Sequence, residues 1–163
     1  RGLGDVYKRQ VYGEDAALAA ITSGAYDCLQ IAYSALDRRP ESLVLPESAA
    51  RDTGVVARSV LLKGALSHRY RALPDEVAAL KRAAAGLERL AGEAGMSLPE
   101  LAYRYVLAHA GVHTALVGTG RWNELEAGIG YAARGPLPQD MVEGVRGIVI
   151  EEEVQLNPAN WPK

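Results

Sequence analysis

Three short apolar segments, Tyr26–Ala32, Val55–Arg58 and Thr114–Val117, each run straight into a polar loop, and stretches of helical periodicity separate them. No hairpin turn signal joins any two of them. Strands that alternate with helices and are apolar at nearly every residue are the pattern of a parallel sheet with helical crossovers. Three parallel strands are few for a free-standing sheet, so the chain reads as a piece of a larger α/β unit.

The helices follow from spacing and punctuation. Glu14–Ser23 is an Ala-rich helix closed by Gly24. Ser42–Asp52 is a second helix, interrupted near Pro46, with Gly54 just past its end where a left-handed residue is wanted. Asp75–Glu93 puts Val77, Leu80, Ala84, Leu87 and Ala91 on one face, with two carboxylates in its first turn and Gly95 beyond its end. Ser97-Leu98-Pro99-Glu100 has the form of a capping box, opening a helix whose stripe is Leu98, Leu101, Ala102, Tyr105 and Val106. Trp122–Ala133 and Pro138–Ile150 are the last helices. Leu66–Pro74 is a basic loop, and residues 151–163 form an irregular tail.

The bulk numbers narrow the function. With 163 residues, 48% apolar and 23% charged, the chain is at most one domain of ordinary globular composition. A formal charge of −2 gives no support to a nucleic-acid or anionic-membrane surface. No apolar run approaches roughly 18–20 residues, so no transmembrane helix is expected. The single cysteine, Cys28, excludes an internal disulfide and fits a reducing, cytoplasmic setting; inside an apolar strand it reads as a small buried hydrophobe. The histidines His68, His109 and His113 have no zinc-ligand spacing and read as structural.

Residues 1–10, RGLGDVYKRQ, carry no helical or strand periodicity and look like a translated sequencing adapter, a non-native tail to be left out of fold reasoning. On that reading the frame is truncated and the native protein starts upstream. The remaining chain divides into a body, residues 11–150, and a C-terminal tail, residues 151–163.

The stretch Gly54–Leu66, GVVARSVLLKGAL, is the richest in chemistry. A buried strand opening into a small, basic, Gly-containing loop is how a parallel sheet presents backbone N–H groups to a phosphate. The pattern recurs at Cys28–Ser34 and Ala115–Arg121, which suggests one ligand shared by three strand ends.

Four segments, in order, resemble the aldo/keto reductase family. Asp27–Asp37, DCLQIAYSALD, is similar to its D-x-x-Q-x-x-Y-N-x-L-D segment, and Gly54–Leu66 to its G-V-x-x-x-x-S-x-L-x-x-G-x-L segment. Ser97–Leu107 resembles its S-x-x-E-L-A-L-R-x-x-L helix, and Val117-Gly118-Thr119 with Leu125 resembles its G-T-x-x-x-x-x-L stretch. The resemblance spans about residues 11–138. It implies the C-terminal half of a (β/α)8 barrel, incomplete, with the last three strands present and Val11-Tyr12 left from the loop after the fifth.

The resemblance implies an NAD(P)H-dependent oxidoreductase that reduces a small-molecule aldehyde or ketone. This chain would hold NADP(H) or NAD(H), while the Asp/Tyr/Lys/His catalytic set would lie on the other half. The chain alone would then be inactive. Residues 11–163 by themselves would be insoluble or molten, because half a barrel leaves two open strand edges. An alternative is a non-catalytic, NADP(H)-binding regulatory subunit of the same fold. Oligomeric state is left open.

By resemblance, Gln30 holds the nicotinamide carboxamide; its bland alternative is an amide satisfied by backbone. Ser59, Leu61 and Gly64 match the loop around the pyrophosphate, and Lys63 adds charge there or is simply solvated. Arg58 stands where many members carry a stacking aromatic, and a planar guanidinium can also stack; a surface ion pair is the alternative. Gly118, Thr119, Gly120 and Arg121 lie after the last strand, at a helix N-terminus that favours an anion. The positions that often carry Arg, Glu and Asn for the adenosine end are Glu124, Ala127 and Gly128, so the family pattern is broken there. Arg121, Arg69 or Arg71 would have to supply the missing charge. Trp161 is a candidate wall of the substrate pocket, the alternative being a residue docked on the exterior.

Overall fold

Alternating Leu, Val, Ile and Ala at the strand positions build one sheet face into the core. The computed structural model describes residues 8–10 and 13–162. The sheet has four parallel strands in the order β1 (Lys8–Gln10), β2 (Cys28–Ala32), β3 (Gly54–Arg58) and β4 (Thr114–Ala115). The helices are α1 (Glu14–Ser23), α2 (Val44–Ala50), α3 (Ala78–Glu93), α4 (Leu98–Ala108), α5 (Trp122–Ala133) and α6 (Gln139–Arg146).

The three expected strands and the incomplete parallel sheet are present. The short fourth strand, Lys8–Gln10, falls in the segment whose sequence carries no strand pattern. Its pairing is backbone to backbone along β2, with Gln10 opposite Gln30, and a free parallel edge accepts main chain whatever its side chains. Val11-Tyr12 lies outside the described residues.

Register and pleat sort the side chains. Leu29 pairs with Val55 and Ile31 with Ala57, and these four are almost wholly buried with Leu80, Leu101 and Ala102 in the core. Each large aliphatic side chain so buried contributes roughly 1.5–3 kcal/mol. The alternate residues, Gln30, Val56 and Arg58, project to the other face, together with Thr114 opposite Val56.

Several boundaries differ from expectation. α2 is not interrupted: Pro46 sits in its first turn, where no intrahelical N–H is lost. Asp52, at φ 53°, takes the left-handed position after α2, and Gly54 opens β3 instead. Residues 75–77 wind as a 3-10 turn before α3 begins. β4 is shorter than Thr114–Val117, and part of the basic loop, His68–Ala72, is 3-10 helix.

The Ser97 cap is half a capping box. Its Oγ accepts the Glu100 N–H at 3.3 Å. The Glu100 side chain does not reach back; it is buried and accepts from Arg104 Nη1 at 3.1 Å and Arg134 Nη1 at 2.6 Å.

α6 ends at Arg146, not Ile150, because Arg38 takes its last carbonyls. Arg38 Nη1 donates to Ala35 O (2.9 Å) and Val145 O (3.0 Å), and Nη2 donates to Arg146 O (3.3 Å) and Ile148 O (3.1 Å). Arg38→Ala strips these carbonyls of a charged donor and is expected to destabilise the protein by about 2–3 kcal/mol. A shift of the chemical-denaturation midpoint reads this out; a change within error would show that water replaces the guanidinium at no cost.

Candidate functional site

The strand ends gather the candidate residues. Gln30 and Arg58 lie on one face of adjacent strands, Arg58 two positions nearer the C-terminal end. Gln30 is buried at 7% exposure, and Arg58 is half-buried with Nη1 donating to Ser59 Oγ at 3.2 Å.

After Arg58 the main chain enters the left-handed region repeatedly: Ser59 at φ 60°, Leu62 at 43°, Lys63 at 53° and Gly64 at 94°. Each non-glycine residue there costs on the order of 1–3 kcal/mol and persists only where the surroundings hold it. Here Leu62 N–H donates to Ser59 O (2.7 Å), and Gly64 and Leu66 N–H both donate to Leu61 O (2.8 and 3.1 Å). Val60, Leu62, Ala65 and Leu66 are buried and pin the loop to the core. Left-handed steps of this kind turn backbone N–H groups toward an anion.

A Cβ on Gly64 would lie 3.3 Å from Arg69 Cδ, so the glycine is required both by its φ and by the arginine laid against it. Leu61 contributes its carbonyl to the loop, while its side chain packs against the core.

The second loop leaves β4. Nothing lies within 4 Å of where a Cβ on Gly118 or Gly120 would stand, so the chain there faces open space. α5 then starts at Trp122, and no side chain caps its first turn. Glu124 ties this loop to the first. It accepts from the Thr119 hydroxyl, from Arg121 Nη1 at 3.1 Å and from Arg69 Nη2 at 3.5 Å. The Thr119 hydrogen bond, then the two guanidinium groups, hold its carboxyl below the usual carboxylate range.

Lys63 and Trp161 meet elsewhere. Lys63 Nζ stands 5.8 Å from the Trp161 ring centroid, and Trp161 Nε1 donates to Gln155 O at 2.7 Å. The tail folds on itself over the start of α3, where Gln155 Oε1 accepts the Leu80 N–H at 3.0 Å.

The structure therefore brings Gln30, Arg58 and Ser59 together, and joins the Gly118–Arg121 loop to Arg69. Sequence reasoning named Arg69 and Glu124 separately but not their pairing: they are 55 positions apart, and no local spacing announces it. Among the described residues, one surface cleft is lined by Ile31 and Ala32 at the end of β2 together with Gly13, Asp37 and Arg39, and another lies away from the strand ends, beside Arg82 and residues 147–152.

A sequence model of the aldo/keto reductase family matches residues 22–150. The chain belongs to the aldo/keto reductase family. Similar solved structures include an aldo-keto reductase from Bacillus halodurans in its holo form, at 24% identity and TM-score 0.75, covering 90% of this chain and 52% of that one. The apo form of the same protein gives 24% identity and TM-score 0.72, covering 88% and 52%. A glycerol dehydrogenase from Gluconobacter oxydans gives 18% identity and TM-score 0.68, covering 91% and 49%. The chain thus spans about half the length of the solved family structures it matches. No curated protein sequence matches it.

Among the described residues, no helix is long and apolar enough to cross a membrane, and no group of His, Cys, Asp and Glu is placed to hold a metal ion.

Proposed function

We propose that this chain is the cofactor-holding, C-terminal half of an NAD(P)H-dependent aldo/keto reductase acting on a small aldehyde or ketone. The observation that carries the reading is the gathering of Gln30, Arg58, the left-handed Ser59–Gly64 loop and the Gly118–Arg121 loop at one end of a parallel sheet. Barrels place their chemistry at that end, with phosphate held after the last two strands.

These residues fit a nicotinamide dinucleotide. A reduced nicotinamide, when bound, supplies hydride to a carbonyl carbon. The Gln30 amide offers a donor and an acceptor that match a carboxamide. The Arg58 guanidinium is a flat surface for a ring, oriented by Ser59. Leu62 and Gly64 N–H are spent inside the Ser59–Gly64 loop, so the loop's other backbone N–H groups would meet a diphosphate, with Gly64 allowing close approach.

Among the described residues, the buried tyrosines do not supply the proton for the carbonyl oxygen. Tyr33 and Tyr105 donate to Glu41, and Tyr103 hydrogen-bonds the Leu116 carbonyl. Burial pushes all three phenols up, Tyr103 and Tyr105 to about 12. A general acid works best with a pKa near the operating pH, so the acid is assigned to the complementary half of the barrel.

The test is to assay the full-length protein that carries residues 11–163 against generic aldehydes and ketones, following nicotinamide absorbance. Carbonyl-dependent oxidation of NADH or NADPH is expected, and residues 11–163 alone should show none. A full-length protein that binds neither dinucleotide would sink the reading.

A further inference from the structure

We infer that residues 153–161 are a strap: docked on the start of α3, they hold the loop after β3 in its left-handed form through Trp161 and Lys63, and so set how firmly that loop grips a ligand. The part that concerns a ligand rests on the proposal that a nicotinamide dinucleotide lies along these strand ends.

The strap is built into α3 at one end. The N-cap residue of α3 is Val77, which has no side-chain acceptor for the orphan N–H groups of the first turn. Gln155 supplies one from 75 positions away: its Oε1 accepts the Leu80 N–H at 3.0 Å. Its Nε2 donates to Glu76 O at 3.3 Å, so one amide closes on both sides of the helix start. Leu156 beside it is buried. Two short 3-10 turns, Glu153–Leu156 and Pro158–Asn160, then fold the strap on itself. Asn157 Oδ1 accepts the Ala159 N–H at 3.1 Å, Asn160 Nδ2 donates to Val154 O at 3.1 Å, and Trp161 Nε1 donates to Gln155 O at 2.7 Å. These bonds carry the indole back over the strap and leave it 9% exposed.

The other end meets the loop at a strained residue. Lys63 is exposed and left-handed, at φ 53° and ψ 29°, one residue before Gly64. That conformation costs free energy and persists only where contacts hold it. Buried Val60, Leu62, Ala65 and Leu66 anchor the loop on either side of Lys63. The Lys63 ammonium itself stands 5.8 Å from the Trp161 ring centroid, inside cation–π range. Releasing Trp161 therefore frees a residue whose conformation is costly, and the loop opens at Lys63-Gly64. The coupling is reciprocal: a ligand that needs the left-handed loop favours the docked strap, and the docked strap favours the ligand by the same factor.

Trypsin reads the loop directly, because it cuts after Lys63 when the chain there opens. In the full-length protein, fragments that begin at Gly64 are compared with fragments that begin at Asp52, cut after the exposed Arg51 just before the other end of β3. A global loss of stability raises both; release of the strap raises the first alone. Trp161→Ala is expected to raise the ratio of the first to the second about tenfold. Trp161→Phe keeps a ring and loses the N–H, and should raise it only about threefold. Saturating NAD+ or NADP+ should lower the wild-type ratio, and Trp161→Ala should weaken binding of both dinucleotides by about three- to tenfold. A cleavage ratio unmoved by Trp161→Ala overturns the strap, and so does an unchanged affinity for a dinucleotide that does bind. A protein that binds neither dinucleotide, while its cleavage ratio still follows Trp161, overturns the reductase reading alone.

Discussion

Glu41→Ala should lower the stability of the full-length protein by about 3–5 kcal/mol, measured as a shift in urea midpoint at unchanged slope. Glu41 Oε1 accepts the hydroxyls of Tyr33 (2.7 Å) and Tyr105 (2.8 Å), and Oε2 accepts from Arg146 Nη2 (2.9 Å). Both tyrosine side chains are almost fully buried, so the substitution leaves two phenols without an acceptor. The cost comes from those stranded hydroxyls. Adding Tyr33→Phe and Tyr105→Phe should therefore recover part of the loss, since removing both partners of a buried hydrogen bond is far cheaper than removing one. A loss under about 1 kcal/mol, or a triple variant worse than the single by the sum of two further cavities, would show that water reaches the cluster.

The same cluster sets two pH limbs. Burial would raise the Glu41 carboxyl, but hydrogen bonds from Tyr33 and Tyr105 and the Arg146 charge outweigh it and hold it low. A carboxyl depressed in the folded state contributes stability that is complete above its unfolded value and lost as pH falls through its folded one. Burial lowers the His109 imidazole, whose ring meets Tyr33 edge-on at 6.0 Å, and it acts with the same sign, starting below about pH 6.5. On the alkaline side Tyr105 is pushed up to about 12, so its contribution is complete below pH 10 and lost as pH rises toward 12. Stability measured against pH should fall on both sides, and Tyr105→Phe should shrink the alkaline fall.

Gln30→Leu is the second large effect. In the full-length protein it should weaken binding of either oxidised dinucleotide by about ten- to a hundredfold, because a carboxamide loses both of its partners in a buried setting. The catalytic rate should fall as well, since the ring is no longer held at one angle. An affinity unchanged within twofold would reassign Gln30 to the sheet. Leucine is close in volume, which keeps the comparison from being one of packing alone.

Local chemistry made much of this chain legible. The Cys28–Ala32 and Gly54–Arg58 strands were readable because most of their residues are apolar, as a strand covered by helices requires. Val77, Leu80, Ala84, Leu87 and Ala91 were readable as one buried face because helical period depends on backbone geometry alone, and all five are buried. The Ser97 cap, Gly24 and Gly95 were readable for the same local reason, and both glycines adopt positive φ.

What the sequence left open involves partners far apart along the chain. Glu100 looked like the second half of a capping box, yet two arginines claim it, one of them 34 residues away. Arg38 carried no local signal of its role, yet it meets the carbonyls at the end of α6 more than a hundred residues later. Glu41 gave no signal at all, because its hydroxyl and guanidinium partners lie 8, 64 and 105 positions away. By itself the sequence determined the alternation of strands and helices, the buried faces and the family, since period, turn chemistry and motif order are properties of neighbouring residues. Only the tertiary structure decided that Arg69 and Arg121 share one carboxylate, because a charge pair between two loops exists only after the sheet has brought their strand ends together.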